Sequence, residues 1–176
     1  MTEKYFDLDY DMIRRIGEEF NPKVWVSRFM EGGEAADEFF SRYGEELMAR
    51  SLELSKKNSE RSYEVLKAAI EKTGAMRFPL LPQRPIEIAY LSIQPFKRLW
   101  VLANTPQLFR YRIDECAVYQ ELQKYGELRE LPCRNCCISM LKKAFSAFGL
   151  ESEVKVESEL LGGGSCIFSV RNLGQV

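Results

Sequence analysis

Histidine is absent from the 176 residues of the chain. This absence excludes Ser-His-Asp and Cys-His nucleophile pairs, histidine metal ligands and an imidazole acid or base. Any catalysis would therefore have to use cysteine, a carboxylate, lysine, tyrosine or an added cofactor.

An excess of charge of one sign is also missing, because 25 Lys and Arg residues stand against 26 Asp and Glu residues. A net charge of -1 gives no electrostatic attraction to a phosphate backbone, so we expect no nucleic-acid partner. The N-terminus carries no apolar signal segment, and no run approaches the roughly 20 apolar residues of a membrane helix. We therefore expect a cytoplasmic protein that makes no membrane contact.

The hydrophobic content of 45% is enough to bury a real core, and the first part of the chain distributes it with helical spacing. This spacing predicts an N-terminal helical region over residues 1–75. The helices are expected at residues 8–20, 22–33, 34–57 and 63–74. Their apolar stripes are typical of a core or of a surface that faces a partner.

Proline is concentrated at residues 76–85, where Pro79, Pro82 and Pro85 occur. Such a segment predicts a connector, since proline interrupts helices and central strands. A mixed region of strands and helices is expected over residues 86–176. Strands are predicted at residues 86–93, 97–103, 108–114, 154–157 and 166–170, with a turn at 162–164 and helices near 118–125 and 135–148.

The strand at residues 108–114 is predicted to alternate between an apolar and a charged face. The apolar face carries Phe109, Tyr111 and Ile113, and the charged face carries Arg110, Arg112 and Asp114. The two guanidinium groups are candidates to bind a carboxylate or phosphate of a small-molecule ligand. The alternative, which we slightly prefer, is a solvated strand face with weak surface ion pairs.

All five cysteines lie in one segment of the second half of the chain, at Cys116, Cys133, Cys136, Cys137 and Cys166. Cys133 and Cys136 have the C-x-x-C spacing that lets two thiolates reach one metal, and Cys116 and Cys166 complete a set of four ligands. The predicted metal is zinc, although an all-thiolate site also accepts iron or an iron–sulfur cluster. A redox dithiol and simple burial of the cysteines are the alternatives.

The adjacent Cys136 and Cys137 are distinguished by the predicted helix that follows them. Cys137 lies four residues before Leu141 on the apolar stripe, so we assign Cys137 to the core and Cys136 to the site. If the helix begins one turn earlier, Cys133 and Cys137 become neighbours on one face, and the assignment reverses.

These residues carry a resemblance to a known superfamily. The Cys-Ala-Val-Tyr opening at Cys116, the cysteine cluster before a helix that ends Ala-Phe-Gly, and the final Gly-Ser-Cys-Ile-Phe-Ser strand supply its motifs. Over residues 100–172 the chain resembles the superfamily of 4-vinyl reductase-type ligand-binding domains and L-2-amino-thiazoline-4-carboxylic acid hydrolase-like proteins.

The resemblance implies an α+β fold with a small antiparallel sheet flanked by helices, and we expect the predicted N-terminal helices to pack with this sheet. It also implies a small-molecule pocket, a homodimer and, in some members, a cysteine-bound metal. Cys133, Cys136 and Cys166 match cysteine positions of such proteins, and Cys116 matches the hydrolase-like branch.

Three hypotheses for the function follow. The first is a small-molecule-binding or sensor-like protein with a metal at Cys116, Cys133, Cys136 and Cys166. The second is a hydrolase of a small heterocyclic or amide substrate, with a thiolate such as Cys136 as nucleophile and Asp114 or Glu115 of raised pKa as base. The third is an interaction module that dimerises through its N-terminal helices.

Overall fold

A computed structural model describes residues 10–57, 80–93, 99–105, 107–126 and 132–173. The helices are α1 (Tyr10–Glu19), α2 (Pro22–Gly32), α3 (Ala36–Lys57), α4 (Leu80–Ile93), α5 (Ala117–Gln123), α6 (Arg134–Ser146) and α7 (Leu160–Gly163). The strands are β1 (Leu99–Asn104), β2 (Leu108–Ile113), β3 (Ser152–Ser158) and β4 (Cys166–Asn172). The predicted α+β fold class is confirmed, whereas the helix expected at residues 63–74 lies outside the described residues.

The first three helices begin and end close to their predicted bounds. The side chain of Asn21 accepts a hydrogen bond from the Lys23 N–H at 3.0 Å, and Pro22 occupies the first turn of α2. Proline is favoured there because its missing N–H would have no partner inside the helix. Gly33 then ends α2 with a φ of 64°, a left-handed conformation that glycine adopts without a steric penalty.

The four strands form one antiparallel sheet in the order β1-β2-β4-β3. In β2 the predicted alternation is confirmed, because Phe109, Tyr111 and Ile113 are buried while Arg110 and Arg112 point to the other face. Residues that precede β4 and residues that follow β2 therefore lie at the same end of the sheet.

The strand predicted at residues 86–93 is wrong, since this segment belongs to helix α4. Most of the described side chains in this segment are buried, namely Ile86, Ile88, Ala89, Tyr90 and Ile93. A short run with so many apolar residues fits the spacing of a strand as well as the spacing of a helix. Burial on several sides stabilises the helix although Pro85 lies inside it and lacks an N–H donor. The expected connector is therefore helical from Leu80 onward, and residues 76–79 are not among those described.

The predicted turn at the glycine triplet connects β3 to β4, which are antiparallel neighbours. It contains the short helix α7 and ends at Gly164, whose φ is 72°. The positive φ explains the need for glycine at that position.

A single cluster of buried side chains runs through the N-terminal helices, α4, the sheet and α6. Helix α3 lies against α6 so closely that a Cβ atom on Gly44 would collide with the backbone carbonyl of Cys136. The N-terminal helices thus support the segment that carries the cysteines. Among the helices described, none combines the length and the apolar character needed to cross a membrane.

Candidate functional site

Four of the five cysteines line one small cavity at the end of the sheet. The cavity has a volume of about 30 Å³, and its cysteines are Cys116, Cys133, Cys137 and Cys166. Apolar side chains form much of the remaining wall, including Ile113, Leu160 and Phe168. The fold therefore brings together thiols that are up to 50 positions apart in the chain.

Each thiol reaches the cavity from a different local structure. Cys166 begins β4 directly opposite Ile113, the last residue of β2, and Cys116 follows Ile113 by three positions. Cys133 is the residue immediately before α6, and Cys137 lies one turn further along that helix. Pairing of β2 with β4 thus brings two of the thiols together, and the first turn of α6 with the residue before it supplies the other two.

In the structure Cys137 lines the cavity and Cys136 lies in the core, which is the reverse of the assignment made from the sequence. Cys136 is buried in the core, where its backbone lies against Gly44 of α3, and it is not among the residues that line the cavity. Cys137 lines the cavity. The physical reason is that α6 begins at Arg134, directly after Cys133, so that Cys133 and Cys137 are i,i+4 neighbours on one helix face.

A buried hydrogen-bonded chain extends from the cavity into the core. The Tyr90 hydroxyl is hydrogen-bonded to the Cys137 thiol and lies 2.5 Å from the Tyr111 hydroxyl. Burial raises the pKa of both tyrosines well above the ordinary range, so both phenols remain neutral. Sequence reasoning missed Tyr90 as a neighbour of the site because it assigned residues 86–93 to a strand.

Three of the four thiols that line the cavity are held in their protonated form. Burial raises the pKa of Cys133 to about 12 and that of Cys166 to about 11, and the neighbouring Cys116 adds to both shifts. Burial also raises the pKa of Cys137 well above the ordinary value. A protonated thiol is a weak nucleophile, so these surroundings oppose the activation that a thiolate-based hydrolase requires.

The predicted acid and base candidates are not among the residues that line this cavity. Asp114 forms an ion pair with Arg112, with 2.8 Å between Oδ1 and Nε, and neither Asp114 nor Glu115 lines the cavity. A general base must come within hydrogen-bond reach of the proton it removes. The expected pairing of Cys136 with Asp114 or Glu115 therefore has no counterpart in this cavity.

The two arginines proposed to bind an anion lie on the opposite face of the sheet. Arg110 is paired with Glu157 at 2.7 Å, and Arg112 is paired with Asp114 and also lies 5.9 Å from the centre of the Trp100 ring. Both guanidinium groups are thus engaged with carboxylates of the chain itself. This arrangement matches the alternative of surface ion pairs.

A further ion pair, which sequence reasoning missed, lies at the cavity. Arg134 Nη1 and Glu159 Oε1 are 2.8 Å apart, and both residues contribute to the lining. The two residues are 25 positions apart, so no local pattern relates them. The only available signal was that Arg134 lies inside the C-x-x-C motif and Glu159 shortly before Cys166.

The donor atoms suit a thiophilic metal, although the side chains as they stand do not form a metal site. Across the described residues, which include all five cysteines, no group of three or more Cys, Asp or Glu side chains is arranged to hold a metal ion. Two of the sulfurs have hydrogen-bond donors nearby, since the Leu160 N–H donates to Cys166 and Tyr90 bonds to Cys137.

No protein-family model matches the chain, and no curated protein is similar to it.

Proposed function

We propose that the protein is a sensor-like metal-binding protein that takes up one zinc ion in the cysteine-lined cavity. The proposed ligands are Cys116, Cys133, Cys137 and Cys166. The observation that supports the proposal is the presence of these four thiols in the wall of a single cavity. Four thiolates form a common closed zinc site, and soft sulfur ligands favour zinc or iron over magnesium and calcium.

The size of the cavity favours an ion over an organic ligand. Pockets for drug-sized ligands have volumes of roughly 300–1,000 Å³, whereas one water molecule needs only about 10–15 Å³ of probe-sized space. A cavity of about 30 Å³ therefore accommodates an ion or one or two water molecules. For this reason we limit the proposed ligand to a metal ion.

Zinc uptake in this proposal requires the thiols to ionise and turn toward a common point. The high pKa of Cys133 and Cys166 arises from burial and from the neighbouring negative charge that ionised thiols create. A divalent cation reverses that balance, since it stabilises thiolates and releases their protons. Leu160 and Tyr90 then act as outer hydrogen-bond partners of two of the ligands.

Two adjacent cysteines provide a matched test. We expect anaerobically purified wild-type protein to bind about one zinc per chain by elemental analysis, as a single site of this kind requires. Cys137→Ala is expected to weaken zinc binding roughly tenfold or more in competition with a chromogenic chelator, equivalent to about 1.4 kcal/mol. Cys136→Ala makes the same chemical change one position away, outside the cavity wall, and is expected to retain the affinity.

The outcomes separate the function from the ligand assignment. Absence of stoichiometric zinc from the wild-type protein would overturn the proposed function. Loss of zinc from Cys136→Ala but not from Cys137→Ala would retain the metal and restore the original assignment of Cys136. One cysteine that reacts quickly with iodoacetamide, with no protection by zinc, would favour the thiolate hydrolase instead.

A further inference from the structure

The mouth of the cysteine cavity carries a charged pair whose position suggests a part in metal uptake. Among the described residues, the charged side chains that line the cavity are Arg134 and Glu159. Their side chains are 46% and 40% exposed, so both contact the solvent as well as the cavity. The pair therefore lies on a path between water and the thiols.

The backbone fixes Glu159 at this place. It directly follows β3 in an extended conformation, with φ of −124° and ψ of 150°, and precedes the short helix α7. Its side chain does not cap that helix and instead accepts a hydrogen bond from Arg134 at 2.8 Å. Because Arg134 opens α6, the pair connects the two segments that carry Cys133 and Cys166.

The carboxylate lies close enough to two of the thiols to affect them. The negative charge of Glu159 contributes to the raised pKa of Cys133 and of Cys166, while Arg134 acts in the opposite direction on Cys133. The same negative potential attracts a cation toward these two sulfurs. The positive charge of Arg134 partly cancels that attraction for as long as the pair is intact.

We infer that Glu159 is the first ligand that an incoming zinc ion meets, and that Arg134 competes with the ion for this carboxylate. This inference rests on the proposed zinc function of the cavity. The cation displaces the guanidinium from Glu159 and passes to the thiols of Cys133 and Cys166, each of which releases its proton to water as it binds the ion. A carboxylate oxygen binds zinc less well than a thiolate sulfur, so the ion moves inward and the ion pair re-forms.

The neighbouring strand supplies a matched control. Glu157 lies two positions before Glu159 and is also paired with an arginine, at 2.7 Å from Arg110, but on the other face of the sheet. Glu157→Gln and Glu159→Gln therefore remove the same charge and the same kind of ion pair. They differ in whether the carboxylate lines the cavity.

The test is the rate of zinc uptake, measured by stopped-flow mixing of the reduced protein with zinc and a fluorescent zinc indicator at low ionic strength. We expect Glu159→Gln to slow uptake roughly threefold or more, Glu157→Gln to leave it unchanged, and Arg134→Gln to accelerate it about twofold. Added salt is expected to shrink the difference between wild type and Glu159→Gln, a response that a purely structural role does not produce.

Three results would contradict parts of this scheme. Zinc uptake by the wild type with an unchanged rate in Glu159→Gln would overturn the role of Glu159 and leave the zinc site intact. If Glu157→Gln slowed zinc uptake as much as Glu159→Gln, the cause would be the overall charge of the protein. That result would also overturn the proposed role of Glu159. Failure of the wild type to bind zinc at all would overturn the proposed function together with this inference.

Discussion

At the scale of single residues, Tyr90 and Tyr111 form the polar chain that connects the core to the cysteine cavity. Their hydroxyls are 2.5 Å apart in a fully buried place, and Tyr90 has a second partner in Cys137. A buried hydroxyl that loses its partner costs about 1–3 kcal/mol. The two tyrosines are therefore not equivalent, because only Tyr90 keeps a partner when the other is changed.

This asymmetry gives a prediction for phenylalanine substitutions. Tyr90→Phe leaves the Tyr111 hydroxyl without its partner and is expected to lower the free energy of unfolding by about 1–3 kcal/mol. Tyr111→Phe is expected to cost less, since Tyr90 retains its hydrogen bond to Cys137. Urea unfolding of the single and double variants measures both effects.

The double variant is the control for this prediction. Removal of both hydroxyls leaves neither tyrosine position with an unpaired group, so the double variant is expected to lose less stability than the sum of the two single losses. The expected coupling is about 0.5–3 kcal/mol. Additive losses, or a larger loss for Tyr111→Phe, would contradict the proposed chain of hydrogen bonds.

The residue scale also shows what the sequence could predict about the site. The C-x-x-C spacing and the position of every cysteine in one segment drew attention to Cys116, Cys133 and Cys166, which line one cavity in the structure. The choice between Cys136 and Cys137 depended on where α6 begins, and a sequence pattern predicts the ends of a helix less accurately than its existence. The contact between Arg134 and Glu159 depends on tertiary structure, so no periodicity reveals it.

At the scale of elements, the close approach of α3 to α6 determines where the cysteines of α6 lie. Gly44 of α3 leaves room for the Cys136 backbone, which a side chain of any size would displace. We predict that Gly44→Ala destabilises the fold by about 1–3 kcal/mol through overpacking, despite the better helix propensity of alanine. Thermal unfolding followed by circular dichroism measures the loss.

Gly32 provides the control for this substitution. It also lies in a helix, but a Cβ atom there would meet no atom within 4 Å, so Gly32→Ala is expected to be neutral or slightly stabilising. Because α6 carries Cys137 and directly follows Cys133, a shift of this helix in Gly44→Ala is also expected to weaken zinc binding. Wild-type stability in Gly44→Ala would contradict the close packing of the two helices.

Helices and strands with a single apolar face were predicted correctly from the sequence, whereas helix α4, which is buried on several sides, was not. Helices α1 to α3 and strand β2 each have one apolar face, so their periodicity is unambiguous. Helix α4 is buried on several sides and contains Pro85, which makes its sequence resemble a strand that follows a connector. Tertiary burial, which the local sequence does not display, decided its conformation.

At the scale of the whole molecule, much of the apolar surface of helices α1 to α3 packs into the interior of the same chain. The shared core contains Ile16, Phe20, Trp25, Val26 and Phe40. These side chains are therefore not exposed for contact with a second copy of the chain. The predicted homodimer thus needs other residues, and sedimentation at several concentrations tests whether it forms. Integration of these helices with the sheet also means that a change at the cavity affects the stability of a large part of the fold.

Zinc binding is therefore expected to stabilise the whole fold. The proposed ligands come from the segment after β2, from α6 and from β4, and an unfolded chain does not hold these together. Zinc that binds the folded state alone stabilises it by about 4 kcal/mol when the concentration of the free ion exceeds the dissociation constant a thousandfold.

Thermal unfolding with buffered zinc is thus expected to show a clear rise in Tm for the wild type and for Cys136→Ala, and little rise for Cys137→Ala. An equal rise in Cys137→Ala would mean that zinc stabilises the protein from another place, because that variant lacks one of the four proposed ligands.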